Sequence, residues 1–231
     1  MPRTARTSVG GLCFHVTGRG NRRETVFHEP DDYDAFLALV ARADERIPMR
    51  ILAYCLMPNH YHLVLRPHDD GDLGRFMHWL LTSHVQRHRR RHASIGRIWQ
   101  GRFHASIIQA DGHLLTVLRY VERNPLRAGL VERVDDWAWC SLPERLGRTP
   151  RRLVDASPVE LPPDWRDRVE QPITAAELEA IRTCARRQGP YGDPAWTRGT
   201  AERLGLLSSL TARGRPRSPI LATRDARGGP A

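Results

Sequence analysis

The segment Arg50 to Val64 limits the possible folds more than any other part of this chain. Residues 50–57 are almost wholly apolar and read as a buried strand. Pro58-Asn59 then supplies turn chemistry, and residues 60–66 return as a second strand. A tight hairpin of this kind commits the chain to an antiparallel sheet. It also sets side-chain direction, because alternate residues on a strand share a face. His60 and His62 therefore point the same way, with Cα atoms about 7 Å apart. Tyr61, Leu63 and Leu65 point to the other side. Two imidazoles so placed can chelate one divalent ion, although a bare H-x-H is common by chance. Tyr61, on the leucine face, is a poor nucleophile candidate.

The remaining pattern fits around this hairpin. Leu12, Phe14 and Val16 alternate with Cys13, His15 and Thr17, which predicts a strand over 11–17. A basic loop with glycines, Gly18 to Arg23, ends it. Asp31 and Asp32 begin a helix with Tyr33, Phe36, Leu37 and Val40 at helical spacing, and Pro48 closes it. A long helix spans 72–92, with Leu73, Phe76, Met77, Leu80 and His84 on one face. Its histidines at 78, 84, 88 and 92 read as part of a solvated or DNA-facing basic helix rather than a metal site. A strand is expected over 98–109 and a helix over 111–123, stopped near Asn124-Pro125. Trp137-Ala138-Trp139 reads as a segment that packs onto the core.

The resulting order is that of an α+β chain with a ferredoxin-like antiparallel sheet and helices on one face. The boundary falls near residue 148, giving a domain over 1–148 and a Pro/Arg-rich extension over 149–231. Helices are expected in that extension at 175–187 and about 194–204. The tail carries a short arginine hook, Gly214-Arg215-Pro216-Arg217, more often disordered than functional.

Charge narrows the function classes. The formal charge is +10, and all 36 basic residues are arginine. A polyanionic partner is implied, with nucleic acid the commonest. Codon bias alone can inflate arginine, so placement carries more weight than the total. No apolar run reaches the ~20 residues of a bilayer span, so a cytoplasmic protein with no membrane partner is expected. The four cysteines, Cys13, Cys55, Cys140 and Cys184, form no C-x-x-C pair, so a zinc ribbon is not supported.

A second constellation lies at 118–130. Leu114, Val117, Leu118 and Val121 form a buried stripe, and Tyr120 and Asn124 differ by only ~40° around the helix axis. Both can reach one site from the edge of the stripe. A tyrosine supplies an attacking oxygen, and an asparagine supplies a neutral oxygen ligand.

Taken in order, His15-Val16-Thr17 with Arg19-Gly20-Asn21-Arg22-Arg23, Met57-Pro58-Asn59-His60-Tyr61-His62-Leu63, Trp99-Gln100-Gly101-Arg102-Phe103, Arg119-Tyr120-Val121 and Asn124-Pro125-Leu126-Arg127-Ala128-Gly129-Leu130-Val131 resemble the REP-associated tyrosine transposases of the HUH superfamily. The resemblance covers roughly residues 9–146. It implies an enzyme that cleaves and rejoins single-stranded DNA at palindromic repeat hairpins through a 5′-phosphotyrosine. It implies His60 and His62 as metal ligands, Asn124 as a third ligand and Tyr120 as the nucleophile. The implied ion is Mg²⁺, with Mn²⁺ as a substitute. Arg19, Asn21, Arg22, Arg23, Arg102 and His104 become candidate DNA contacts, as does the Arg87–Arg91 block. The protein is expected to act as a monomer or homodimer. Two positions depart from the family pattern: Glu122, where histidine is frequent, and His104, where lysine is frequent. The rival readings are a catalytically silent DNA-binding regulator and a phosphohydrolase that uses water.

Overall fold

The computed structural model describes residues 8–211; the arginine hook lies outside them. Four antiparallel strands form one sheet in the order β2-β3-β1-β4. They are β1 (Cys13–Arg19), β2 (Met49–Met57), β3 (His60–Pro67) and β4 (His104–Ile108). The hairpin pairs Met57 with His60 and Cys55 with His62, and β1 pairs Thr17 with His62 and Arg19 with His60.

The sheet has two apolar faces. Phe14, Val16, Tyr54, Leu56, Tyr61, Leu63 and Leu65 lie on one, beneath α1 (Pro30–Arg46) and α2 (Asp72–His92). Phe36 and Leu37 of α1 and Phe76 and Leu80 of α2 fill this core at the spacing seen in the sequence. Cys13, Ala53, Cys55, Val64 and Ile108 lie on the other face. There α3 (Gly112–Glu122) packs its stripe of Leu114, Val117, Leu118 and Val121. The strand and helix order is thus the expected α+β one, but helices cover both faces. Strands β2 and β3 are apolar on both sides, and that requires a second layer.

The chain does not run as a strand from 98. Residues 98–103 fold back on the loop after β1, with Asn21 N donating to the Ile98 carbonyl and Gln100 N to the Arg19 carbonyl, both at 2.8 Å. The apolar pair Ile98-Trp99 packs on the first core instead of joining a ladder. After α3 the chain makes one more turn, α4 (Asn124–Arg127), restarted rather than ended by Pro125. The tryptophan segment does pack on the core: Trp137 Nε1 donates to the Leu56 carbonyl at 2.8 Å, and Trp139 stacks on Tyr33.

Three short helices follow that hydrophobic periodicity does not reveal: α5 (Ser141–Arg145), α6 (Trp165–Glu170) and, at the end, α9 (Leu207–Leu210). Between the last two lie the expected α7 (Ala175–Arg187) and α8 (Pro194–Arg203). Trp165, Val169 and Ile181 are buried in the second core alongside α3. Both sheet edges are met by later chain. Asp155 N donates to the Ile51 carbonyl on β2 at 2.8 Å, and Tyr191 N to the Ile107 carbonyl on β4 at 2.7 Å. Glu122 ties these layers together. Its buried carboxylate accepts from Ser141 Oγ at 2.6 Å and from Arg145 Nε and Trp165 Nε1 at 2.7 Å. All four cysteines are free thiols. No described helix is long and apolar enough to cross a membrane.

Candidate active site

The sheet face that carries α3 opens, at the end of the β2–β3 hairpin, into a cavity of about 890 Å³. His60 and His62 project into it, as strand alternation requires. Their ring centroids are 5.1 Å apart, and Tyr120 of α3 stands edge-on to His62 at 5.5 Å. Tyr61 belongs to the opposite core, against Phe36 and Trp99.

A third histidine completes the group. His15 lies on β1 beside His62, its ring 13° from parallel to that of His62 with centroids 5.2 Å apart, and meets Tyr120 edge-on at 5.8 Å. Burial alone lowers the His15 pKa to about 4. Burial, reinforced by Arg19 and Arg127, does the same for His60. His62 is pushed well below the ordinary histidine value, first by burial and then by His60, His15 and the two arginines. All three imidazoles are therefore neutral at pH 7, the form in which a nitrogen lone pair can bind a cation.

The cavity walls are strongly basic. Arg19 and Arg23 come from the loop after β1, Arg102 and His104 from the segment before and into β4, Arg127 from α4, and Arg182 and Arg186 from α7. No carboxylate is among the lining residues. Arg186 is paired with Glu179 outside the cavity, at 3.6 Å. Several guanidiniums around one concavity form an anion site, and their planar forks match phosphate oxygens. Asn21 and Arg22 do not line the cavity; they sit in a single 3₁₀ turn (Asn21–Arg23) behind it. The Arg87–Arg91 block is farther away. Arg87, Arg90 and Arg91 line a separate groove between α1 and α2, with Arg42 and Trp79.

Asn124 stands apart from the imidazoles. It is wholly buried and does not line the cavity. Its Nδ2 donates to the Tyr120 carbonyl at 2.8 Å, and its Oδ1 accepts from Arg127. The Arg127 guanidinium in turn lies 5.7 Å from the Tyr120 ring centroid. Asn124 thus steadies the arginine that faces the phenol. Among the described residues, no three histidine, cysteine or carboxylate side chains are arranged to hold a metal ion. The donors that fit one are the pair His60 and His62: the buried Nε2 of His62 has no hydrogen-bond partner among the described residues.

Sequence reasoning did not assign roles to His15, Arg127, Arg182 or Arg186. Strand parity puts His15 on the side of β1 that carries Cys13 and Thr17, but only the register of β1 on β3 brings it to His62. Arg127 is seven residues, two helical turns, after Tyr120. Nothing in the local pattern marks Arg182 and Arg186.

With this geometry in view, the comparisons with known proteins are decisive. The model of the family described as "Transposase IS200 like" matches residues 8–124, just over half of the chain. The chain belongs to the IS200-like transposase family. Its relatives include a candidate REP-associated tyrosine transposase of Haemophilus influenzae, 28% identical over 143 residues, covering 57% of this chain and 80% of the relative. A REP-associated tyrosine transposase of Escherichia coli is 23% identical over 140 residues, covering 60% and 81%. Among solved structures, a REP-associated tyrosine transposase bound to a REP hairpin superposes with a TM-score of 0.52 at 20% identity, covering 76% of this chain and all of the other. That likeness is one of fold. The resemblance read from the sequence motifs holds, and this IS200-like chain is a DNA transposase.

Proposed function

We propose that this transposase cleaves and rejoins single-stranded DNA at palindromic repeat hairpins through a 5′-phosphotyrosine on Tyr120, with a divalent cation, Mg²⁺ or Mn²⁺, held by His60 and His62. The observation that carries this reading is the meeting of Tyr120 with the imidazole pair inside an arginine-lined cavity free of carboxylates. The hairpin substrate is suggested by the structural relative that is bound to one.

The arginines of the cavity hold the DNA backbone and orient the scissile phosphate. The phenol oxygen of Tyr120 attacks phosphorus, the bond from phosphorus to the 3′ oxygen breaks, and the departing oxygen leaves as a 3′-hydroxyl after taking a proton. The phenol proton is lost in the same exchange. One phosphoester replaces another, so a later 3′-hydroxyl can reverse the step and join a new strand without ATP. A bound Mg²⁺ supplies charge withdrawal from a non-bridging phosphate oxygen. Held by His60 and His62, such an ion would prefer oxygen for its remaining ligands, which phosphate would supply. For Asn124 to serve as a third ligand, its Oδ1 must exchange Arg127 for the cation. Tyr120 lies close to His62 of its own chain, which favours attack in cis.

The test is a Tyr120→Phe variant incubated with a labelled hairpin substrate and Mg²⁺. The parent is expected to leave a covalent protein–DNA adduct on a denaturing gel, and the variant to lose cleavage by at least about 10³-fold, as when other nucleophiles are removed. A parent that cleaves without an adduct points to a water nucleophile. A parent that binds tightly and never cleaves points to a regulator.

A further inference from the structure

Two hydrogen bonds behind the imidazole pair bear on which nitrogens are free. Asn59 Nδ2 donates to the Arg23 carbonyl at 2.9 Å, which fixes the orientation of its carboxamide. Asn59 Oδ1 consequently faces His60 Nδ1, at 2.7 Å. A carboxamide oxygen can only accept. The proton of neutral His60 therefore sits on Nδ1, and the Nε2 lone pair is free.

His62 has the corresponding contact on its own Nδ1, which lies 2.9 Å from His15 Nε2 with the two rings 13° from parallel. One nitrogen must donate and the other accept, and the two assignments differ in outcome. If His15 donates, the proton of His62 moves to Nε2. That buries an N–H with no acceptor and leaves nothing with which to ligate. If His62 donates, the orphaned Nε2 presents a lone pair that a cation satisfies.

We propose that Asn59 and His15 are positioning residues, which hold His60 and His62 as matched Nδ1–H tautomers so that both Nε2 lone pairs serve one divalent cation. This rests on the metal-binding reading of the cavity. It gives His15 a place behind a ligand rather than as one, in keeping with the lack of any three-residue metal cluster among the described residues. Hydrogen-bond partners on the far nitrogen of a ligating histidine fix its tautomer and ring orientation in this way. The two come from distant parts of the chain, the turn of the hairpin and the neighbouring strand. Of the two ligand histidines, each hydrogen-bonds only the one beside it.

The tautomers are read directly by two-bond ¹⁵N–¹H imidazole NMR on the full, metal-free chain. Nδ1–H signals at both His60 and His62 are expected; an Nε2–H at His62 overturns the assignment to His15. Mn²⁺ titration supplies the second readout. His15→Leu and Asn59→Ala are each expected to weaken Mn²⁺ binding roughly 10–100-fold, the range for losing such a partner. His15→Gln, which keeps an acceptor toward His62 Nδ1, is expected to recover most of that loss. Parental Mn²⁺ affinity in a folded His15→Leu overturns the role of His15. Should that variant fail to fold, the NMR assignment of the parent and the Mn²⁺ affinity of His15→Gln still decide. If the parent itself binds no Mn²⁺, the metal reading falls, whatever the tautomers.

Discussion

This protein holds two groups of neighbouring histidines, one on each side of the sheet, and they are built for opposite purposes. His15, His60 and His62 face an open cavity lined by arginine, with no carboxylate in its walls. His28, His84, His88 and His92 gather beneath and beside α2, with ring centroids 4.6–6.0 Å apart between neighbours. At the outer end of this second group carboxylates do the work. His92 Nε2 lies 3.1 Å from both oxygens of Asp32, and Arg91 reaches Glu29 at 2.6 Å. The end of α2 is thereby clasped to the start of α1. His88 Nδ1 is spent on Ser94 Oγ at 3.0 Å. His84 is buried among Phe27, Phe36 and Trp99, not turned to solvent or DNA as its basic helix suggests. Closeness of imidazoles is therefore a poor guide to chemistry. His84 Nδ1 and His88 Nε2 lack hydrogen-bond partners among the described residues, as His62 Nε2 does, but neither residue lines the arginine-walled cavity, and that separates the groups.

The largest effect should come from removing one imidazole from each group. His62→Ala is expected to lower Mn²⁺ affinity by more than the ~100-fold typical of an outer partner and to abolish hairpin cleavage. His88→Ala should leave Mn²⁺ affinity unchanged. Calorimetric titration of both variants breaks the comparison if their effects match.

The second test concerns the carboxylate nearest Tyr120 along α3. Glu122 is held behind the site by Ser141, Arg145 and Trp165, so its charge never reaches the arginine cavity. Glu122→Ala leaves Arg145 buried without its partner. It should cost about 3–5 kcal/mol of stability, measured by urea unfolding. The same change at exposed Glu132 should cost less than about 0.5 kcal/mol.

The effect that is smallest at neutral pH, and grows only in acid, is on acid stability. Burial, the largest cause, with His88, Arg87 and His92 adding to it and Asp32 opposing, lowers the pKa of His84 to about 3. The unfolded chain then takes up a proton near pH 6.5 that the folded chain refuses. The stability contributed by neutral His84 is complete above pH 6.5 and declines as pH falls toward 3, by up to about 1.4 kcal/mol per pH unit. His84→Leu should make the acid limb of a urea-midpoint-against-pH curve shallower. An unchanged limb would show that other histidines carry it.

Much of this was legible from residue spacing. Period-two alternation placed His60 and His62 together and sent Tyr61 to the other core, and the helical stripe of α3 brought Tyr120 to its edge. What stayed hidden depends on register and on distant packing. His15 meets His62 only because β1 pairs Thr17 with His62. Arg182 and Arg186 enter the cavity because Ile181 anchors α7 in the second core. Asn124 has the right helical phase for the site, but phase does not report that Arg127 already occupies its oxygen. The strand expected over 98–109 was too long because Ile98 and Trp99 are apolar for packing on the first core and pair only through a single bridge to Gly20.

The attachments at Ile51 and Ile107 also bear on how copies of this chain behave in a crowded cell. Edge strands with open main-chain groups invite strands from other molecules. Here the chain spends its own Asp155 and Tyr191 on those groups, so the sheet offers neighbours little to extend. A form shortened before residue 150 would uncover Ile51 and Ile107 at once, leaving only the Leu56 end of β2 covered by Trp137 and Trp139, and would gain a route to self-association that the longer chain has narrowed.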